Sequence, residues 1–177
     1  MQGVSRWTSP EAEAEFRRRS DALAAAVAAE RSFEMPTPVD VPTRLGPTRV
    51  DRWPGEGPGE GVGEPVVLLH GTTATSLSWV EYAQHRRGRA YYAVDTIGDV
   101  GHSRQEVAVT EPRDLADWLA EALDGLGLDR PHLAGVSYGG FLALNLAAHH
   151  PTRVRTLTLF EPAGIERVRM ARFMAWG

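Results

Sequence analysis

The sequence predicts an α/β domain in which a mostly parallel sheet carries helices on both faces. Mostly continuous apolar strands at residues 66–69, 90–94, 132–136 and 154–160 alternate with helical patterns. Strands that are buried on both faces have such runs, and the intervening helices supply the crossovers of a parallel sheet. With 177 residues, 42% of them hydrophobic, the chain is long enough to bury one substantial core.

The other elements follow from local signals along the chain. Residues 9–11 are Ser-Pro-Glu, which is typical of an N-cap followed by the first turn of a helix, and the helical pattern continues to about residue 31. Two short strands at residues 39–45 and 48–53 surround a Gly-Pro turn. The remaining helices are predicted between the apolar runs, at residues 77–82, 112–126 and 138–150.

Composition narrows the classes of partner. The net charge of −4, without a basic stripe, argues against a nucleic-acid surface. Cysteine is absent, so neither a disulfide framework nor a thiolate metal site is expected. The N-terminus has no apolar core of signal-peptide length, and the alanine-rich run at residues 22–29 is far shorter than the ~20 residues of a membrane span. We therefore expect a cytoplasmic protein with no membrane or nucleic-acid partner.

Residues 135–140, Gly-Val-Ser-Tyr-Gly-Gly, predict the reactive centre. They follow an apolar strand and precede an alanine- and leucine-rich helix, which is the order of a nucleophile elbow. On so sharp a turn Ser137 must adopt strained backbone angles, while Gly135 and Gly139 let the strand and the helix pass close on either side. The serine hydroxyl then lies at the carboxyl edge of the sheet and at the positive end of a helix. The structural alternative is a glycine-rich turn whose serine only caps the helix.

Further candidate residues follow the other strands. His70, Asp95 and Glu161 each come directly after an apolar run, as Ser137 does. Because the carboxyl ends of parallel strands meet at one edge of the sheet, these side chains are expected at the same edge.

Together these motifs resemble the α/β-hydrolase superfamily. The motifs that carry the resemblance are L-L-H-G at residues 68–71, V-D-T-I-G-D-V-G-H-S at 94–103, the G-V-S-Y-G-G elbow, and H-H-P-T-R-V at 149–154. The pattern at residues 41–50 is similar to the opening strands of the carboxylesterase-like branch. The resemblance covers about residues 35–165 and implies a serine hydrolase that acts on small carboxylic esters and uses neither a cofactor nor a metal.

The resemblance implies a role for each matching residue. Ser137 would attack the acyl carbonyl and form an acyl-enzyme. The backbone N–H groups of Tyr138 and Thr72 would form the oxyanion hole, which stabilises the negative charge that develops on the carbonyl oxygen. The supporting residues would be His70, which usually stabilises the oxyanion loop in this family, Asp95, which usually builds a turn, and Gly71, Gly135 and Gly139.

The loop after the second apolar run departs from the family pattern. Asp99 and His102 occupy positions in a loop that is usually glycine-rich. His102 lies at the correct edge of the sheet, but the strand order of the family would place it a strand too far from the serine to act on it.

The sequence supplies no evident proton acceptor for Ser137. In the family, an acid and then a histidine follow the nucleophile along the chain. Only His149 and His150 follow it here, and they end a helix of about a dozen residues, which places them ~18 Å from the serine. Glu161 is the candidate acid, with a local structural role or a contact to substrate as the alternatives.

We therefore expect the chain to be the N-terminal portion of a longer hydrolase, with its sheet ending at the sixth strand. The predicted parts are a helical appendage at residues 1–34, the hydrolase core at 35–165 and the start of a cap helix at 166–177. An unpaired last strand would favour self-association through the sheet edge. Without the histidine, only about a thousandfold rate enhancement over water would remain, so weak or no activity is expected.

Two other functions stay open at the level of sequence. The same scaffold hosts other chemistry, such as that of lactonases, C–C bond hydrolases and haloperoxidase-like enzymes. A catalytically inactive hydrolase-like domain that binds a small hydrophobic ligand or a partner chain is the alternative without catalysis.

Overall fold

The computed structural model describes residues 7–55, 63–86 and 88–165. The predicted cap helix at 166–177 lies outside these residues. The strands are β1 (Thr37–Val41), β2 (Thr48–Trp53), β3 (Val66–Leu69), β4 (Tyr91–Val94), β5 (His132–Val136) and β6 (Thr156–Phe160). The helices are α1 (Pro10–Arg31), α2 (Val80–Ala83), α3 (Pro112–Gly125) and α4 (Tyr138–His149), with 3-10 turns at Ser76–Trp79 and Pro151–Arg153.

The six strands form one sheet in the order β1-β2-β4-β3-β5-β6. β1 pairs with β2 and β2 with β4 in antiparallel fashion, whereas the β4–β3, β3–β5 and β5–β6 pairs are parallel. Gly135 of β5 lies opposite Leu69 of β3 on one side and Leu159 of β6 on the other. The carboxyl ends of these three parallel strands therefore meet at one edge, and the predicted mostly parallel sheet is confirmed.

Helices cover both faces of the sheet, as predicted. Val67 and Leu69 of β3 belong to the larger core cluster, which also contains the apolar faces of α3 and α4. Leu68, between them in sequence, packs on the opposite face with Trp79 and Ala83. Successive side chains of a strand point to opposite faces, so a continuous apolar run is needed to serve both clusters.

Helix α1 packs against α2 and the preceding 3-10 turn. Its N-cap, Ser9, accepts a hydrogen bond from the Ala12 N–H at 3.1 Å. Two side chains of the helix reach the loop that follows β4: Arg17 Nε donates to the Gly101 carbonyl over 3.0 Å, and Asp21 Oδ1 lies 3.0 Å from His102 Nε2. The helix is thereby attached to that loop. Among the described helices, none has the length and apolar character that crossing a bilayer requires.

The first strand differs from the prediction in its bounds. The alternating pattern predicted a strand over residues 39–45, whereas β1 ends at Val41. A turn follows in which the Gly46 N–H donates to the Thr43 carbonyl over 3.0 Å and Gly46 has φ 127°. This conformation favours glycine, and Leu45, which lies inside the turn, is buried in the core.

In the described part of the chain, β6 is the outermost strand on its side of the sheet. Thr156, Thr158 and Phe160 alternate with Leu157 and Leu159 along it, and the first three are exposed. The predicted self-association through this edge stays a prediction.

Candidate active site

Ser137 occupies a strained bend between β5 and α4. Its backbone angles are φ 51° and ψ −113°, and its side chain is exposed. Such angles are uncommon for a residue with a side chain and cost roughly 1–3 kcal/mol, so neighbouring groups must hold them in place. The bend sets the serine at the carboxyl edge of the sheet and directly before the first turn of a 12-residue helix.

Two glycines make this bend sterically possible. A Cβ atom on Gly139 would lie 2.1 Å from the Leu69 carbonyl oxygen, and one on Gly135 would lie 2.4 Å from the Gly139 carbonyl oxygen. Both distances are shorter than any real contact of a Cβ atom, and in both cases the opposing atom belongs to the backbone. The sequence therefore needs glycine on each side of the serine for α4 to cross so close to β3 and β5.

The turn after β6 holds the serine backbone from the other side. The Ser137 N–H donates to the Phe160 carbonyl over 3.0 Å, and the Ser137 carbonyl accepts from the Ala163 N–H over 2.9 Å. Glu161 lies inside this turn with φ 44° and is exposed. It follows β6 directly, at the sheet edge that the sequence predicts, but it makes no hydrogen bond to any of the six histidines, all of which are described.

The loop after β3 lies beside the serine. A Cβ atom on Gly71 would be 3.5 Å from Ser137 Cβ, so this residue is a direct neighbour of the elbow. Thr72 and Thr73 follow and are exposed, and Thr73 has φ 64°. Within the described residues, the Thr72 N–H has no hydrogen-bond acceptor from the protein. Tyr138, the other predicted oxyanion donor, is the first residue of α4.

His70 is buried and uses both ring nitrogens. The Thr96 N–H donates to Nε2 over 3.1 Å, so Nε2 carries no proton and Nδ1–H donates to the Gly71 carbonyl over 2.8 Å. The neutral ring thus joins the loop after β3 to the loop after β4. It has no free nitrogen with which to take a proton from Ser137.

Asp95 organises the loop after β4. Its carboxylate, which is fully buried, accepts the Ser76 N–H and the His102 N–H, each at 2.6 Å. The Ser103 hydroxyl donates to the Asp95 carbonyl at 2.6 Å. A Cβ atom on Gly101 would lie 2.3 Å from the carboxylate carbon, so the loop is wrapped closely around this side chain.

No histidine lies in a hydrogen bond with the Ser137 hydroxyl. His102 Nε2 pairs with Asp21 of α1, and His150 Nε2 lies 2.6 Å from Asp117 Oδ1. His132 contacts a threonine hydroxyl, and His149 contacts a backbone carbonyl. His85 lies in the loop after α2. The described residues also contain no group of three or more His, Asp or Glu side chains that could hold a metal ion.

Two buried carboxylates near the site were not assigned from the sequence. The Asp51 carboxylate accepts the Ser76 hydroxyl at 2.6 Å, and the Asp99 carboxylate accepts the Thr73 N–H at 3.0 and 3.2 Å. A signal existed for each residue. The two-residue period of β2 places Asp51 on the same face as the buried Trp53, and Asp99 stands in a loop that the family usually builds from glycine.

An apolar cleft of about 500 Å³ adjoins the serine. It begins at Gly71 and Val136 and is walled by Trp79, Tyr82 and Phe160. The Trp79 and Tyr82 rings meet edge to face with their centroids 5.5 Å apart, and Tyr82 and Phe160 are 63% and 52% exposed. The site therefore offers an aromatic, water-accessible surface next to a polar backbone loop.

Comparisons with known proteins agree with this geometry. Residues 64–177 match the model of the family described as the alpha/beta hydrolase fold. Over 124 residues the chain is 35% identical to nap, an uncharacterized carboxylesterase of Bacillus subtilis (strain 168), which corresponds to 70% of this chain and 40% of that protein. It is 33% identical over 110 residues to a 2-hydroxymuconate semialdehyde hydrolase of Pseudomonas sp. (strain CF600), covering 59% of this chain and 38% of the relative.

Solved structures show the same likeness. The crystal structure of naproxen esterase (carboxylesterase NP) from Bacillus subtilis superposes with a TM-score of 0.72 at 28% identity, covering 89% of this chain and 52% of that one. The chain therefore spans less than half the length of these curated relatives and about half the length of this solved one.

The close approach at Gly139 predicts a large loss of stability in Gly139→Ala. The added methyl group has to displace the backbone at Leu69, so we expect the free energy of unfolding to fall by about 3 kcal/mol. Urea denaturation followed by circular dichroism measures the change. Gly71→Ala is the matched control, because its Cβ would meet its nearest neighbour at an ordinary 3.5 Å. Equal midpoints for the two variants would contradict the steric argument.

Because the Asp51 carboxyl is buried, replacing it with a neutral side chain is expected to stabilise the protein at neutral pH. Burial raises the pKa of Asp51, the charge of Asp95 adds to the shift, and the hydrogen bond from Ser76 opposes it. An acid whose pKa is raised on folding lowers stability as the pH rises through its ordinary range near 4. Asp51→Asn should therefore unfold at a higher temperature than the parent at pH 7, and the gap should close below about pH 4.

Asp40 supplies the control of opposite sign. The hydrogen bond from Arg49 lowers the pKa of Asp40, so Asp40→Asn should lose stability at pH 7 and regain parity at low pH. Differential scanning calorimetry between pH 3 and pH 8 compares the three proteins. A melting temperature for Asp51→Asn below that of the parent at pH 7 would show that ionised Asp51 stabilises the fold.

Proposed function

This chain belongs to the alpha/beta hydrolase fold family, and we propose that it is a serine hydrolase for carboxylic esters with Ser137 as its nucleophile. One observation carries the proposal: the exposed serine is held at φ 51° between a strand and a helix, beside Gly71 and the loop that follows it. This backbone geometry is unfavourable for a serine that only caps a helix, because N-cap residues normally have extended angles. The same geometry presents the serine hydroxyl to a substrate, as a nucleophile requires.

The proposed reaction uses two backbone donors. Ser137 Oγ attacks the ester carbonyl carbon, and the carbonyl oxygen becomes an oxyanion that the N–H groups of Tyr138 and Thr72 stabilise. Collapse of this intermediate breaks the bond to the leaving alkoxide, which takes up the proton lost by Ser137 and departs as the alcohol. The acyl group stays on Ser137 until water adds to it, releases the acid and returns a proton to the serine. Tyr138 is suited to the role by its place at the positive end of α4, and Thr72 by its amide, which lies next to Gly71 and has no acceptor in the described part of the protein.

The proton of Ser137 needs an acceptor. Five of the six histidines make hydrogen bonds elsewhere in the protein, none is bonded to the Ser137 hydroxyl, and His70 has no free nitrogen. We propose Glu161 as the acid of the site, which is the carboxylate that orients the base and not the proton acceptor itself. It follows β6 within the turn that hydrogen-bonds the serine backbone. For the polypeptide of 177 residues we expect turnover limited to what the oxyanion hole and binding provide, about a thousandfold over water.

The substrate class is inferred from the cleft and from the relatives. Carboxylesterases are among the proteins most similar to this chain, and the cleft beside Ser137 is apolar and aromatic. Esters with an apolar acyl or alcohol group fit such a surface, because burying their CH₂ groups contributes about 0.8 kcal/mol each.

Two other functions have an observation in their favour. A C–C bond hydrolase is supported by the 33% identity to the semialdehyde hydrolase of Pseudomonas. A ligand-binding domain without catalysis is supported by the absence of a histidine bound to the Ser137 hydroxyl. Reaction with esters and with vinylogous diketones separates the first from the main proposal, and labelling of the serine separates the second.

Covalent labelling tests the nucleophile. A fluorophosphonate should add once to the 177-residue protein, and the adduct should be absent in Ser137→Ala. Added imidazole should speed the reaction, because it supplies the proton acceptor that no described side chain places beside the serine. Intact-mass spectrometry and peptide mapping locate the adduct.

Thr152→Ala is the matched control for non-specific labelling. Thr152 carries an exposed hydroxyl on the 3-10 turn at the far end of α4, so its loss should leave labelling unchanged. If neither the parent nor the control protein reacts with or without imidazole, Ser137 is not an activated nucleophile, and the binding domain becomes the better description.

The cleft predicts a preference for longer acyl chains. From p-nitrophenyl acetate to the hexanoate, the second-order rate constant for acylation should rise by up to about fourfold per CH₂ group until the cleft is filled. Tyr82→Ala should flatten this series because it removes one aromatic wall. Val107→Ala, which removes a similarly exposed apolar side chain outside the cleft, should leave the slope unchanged. A flat series in the parent protein would argue against the cleft as a substrate pocket.

A further inference from the structure

We propose that Asp99 is a positioning residue that fixes the oxyanion loop, defined here as Gly71, Thr72 and Thr73. The proposal rests on the proposed function, because it assigns a purpose to the orientation of the Thr72 N–H. Asp99 does not line the cleft and acts through the loop backbone.

The contacts of Asp99 connect two loops that are remote in sequence. The Thr73 N–H donates to Asp99 Oδ2 over 3.0 Å and to Oδ1 over 3.2 Å, and the Val100 N–H donates to Oδ1 over 2.8 Å. The Asp99 N–H in turn donates to the Thr96 carbonyl over 3.1 Å. Asp99 is buried, with 7% of the residue exposed, so water cannot readily replace its carboxylate as the acceptor for Thr73.

Thr73 needs such an external acceptor. Its φ of 64° lies in the left-handed region, which is an outlier for a β-branched residue. The Thr73 hydroxyl closes the turn locally by donating to the Thr72 carbonyl over 2.6 Å. Without Asp99, nothing outside the loop that the structure describes would fix the peptide group between Thr72 and Thr73.

The peptide group on the other side of Thr72 is also fixed. The Gly71 carbonyl, which shares a peptide plane with the Thr72 N–H, accepts His70 Nδ1–H at 2.8 Å and the Ala74 N–H at 3.3 Å. Asp99 and His70 therefore hold the two peptide planes that flank the Cα atom of Thr72. Together they fix the direction in which the Thr72 N–H points. A donor of the oxyanion hole needs this fixed orientation, because it has to be in place before negative charge develops on the substrate oxygen.

The sign of the effect separates positioning from simple electrostatics. A negative charge near the oxyanion would by itself disfavour the transition state, so a neutral side chain at residue 99 would speed the reaction if charge were all that mattered. If Asp99 acts by fixing the loop, then Asp99→Asn and Asp99→Ala should both slow it. The alanine should have the larger effect, because the amide keeps one acceptor oxygen for the two N–H groups.

The first test is independent of chemistry at the serine. In ¹⁵N-resolved hydrogen exchange on the 177-residue protein, the Thr73 amide should exchange at least about tenfold faster in Asp99→Ala than in the parent. The Ser76 amide is the internal control, because Asp95 holds it and it should keep its protection. Unchanged exchange at Thr73, or equal loss at Thr73 and Ser76, would overturn the proposed role.

The second test reads the oxyanion hole. The phosphoryl oxygen of a fluorophosphonate occupies the oxyanion position, so the maximal labelling rate of Ser137 should fall about tenfold or more in Asp99→Ala and by a smaller factor in Asp99→Asn. The reagent concentration that gives half of the maximal rate should stay within twofold of the parent value. Asp114→Asn is the matched control, since Asp114 is also a carboxylate that accepts loop N–H groups, those of Thr110 and Glu111, but does so at the start of α3. Its labelling rate should equal that of the parent.

The two tests fail separately. If Thr73 loses protection in Asp99→Ala but no reagent labels the parent protein, the role of Asp99 in fixing the oxyanion loop is kept and the hydrolase is rejected. Labelling of the parent that is equal or faster in both Asp99 variants would keep the hydrolase and reject the positioning role.

Discussion

The arrangement of the whole edge depends on one bent peptide segment at Ser137. A φ of 51° is not maintained by the serine itself, and the surrounding backbone supplies what holds it. The Phe160 carbonyl and the Ala163 N–H bind the two sides of the bend, and the glycines on either side allow α4 to lie within contact distance of β3. The site is therefore a product of three adjacent strand ends, and no single motif would maintain it alone.

Side-chain-to-backbone hydrogen bonds hold the loops around this bend. His70, Asp95 and Asp99 are all buried, and each accepts at least one backbone N–H from a loop that has no regular structure. A buried donor left without its partner costs about 1–3 kcal/mol, so each of these side chains stabilises one loop conformation over the others. The loops after β3 and β4 are linked twice in this way, through His70 to Thr96 and through Asp99 to Thr73.

The sequence predicts those features that depend on residues close together along the chain. The strand, turn and helix around Ser137 follow from glycine spacing and apolar runs, and the parallel sheet follows from strands that are apolar on both faces. It could not predict the contact between Asp99 and Thr73, because the two residues are 26 positions apart and their contact depends on how the two loops are placed in the folded chain. It also extended β1 too far, since a strand pattern continues through Leu45 whereas the chain leaves the strand after Val41 and turns at residues 43–46.

The attachment of α1 has a consequence for the order of folding. Its contacts with Gly101 and His102 join residues 84 and 81 positions apart, although the helix is made first during synthesis. Closing so long a loop costs entropy before the contacts repay it, so we expect these contacts to form later than the local pairing of β1 with β2. Neither contact can form before residues 101 and 102 have been synthesised, so the attachment of α1 to this loop reports that the chain through β4 is in place.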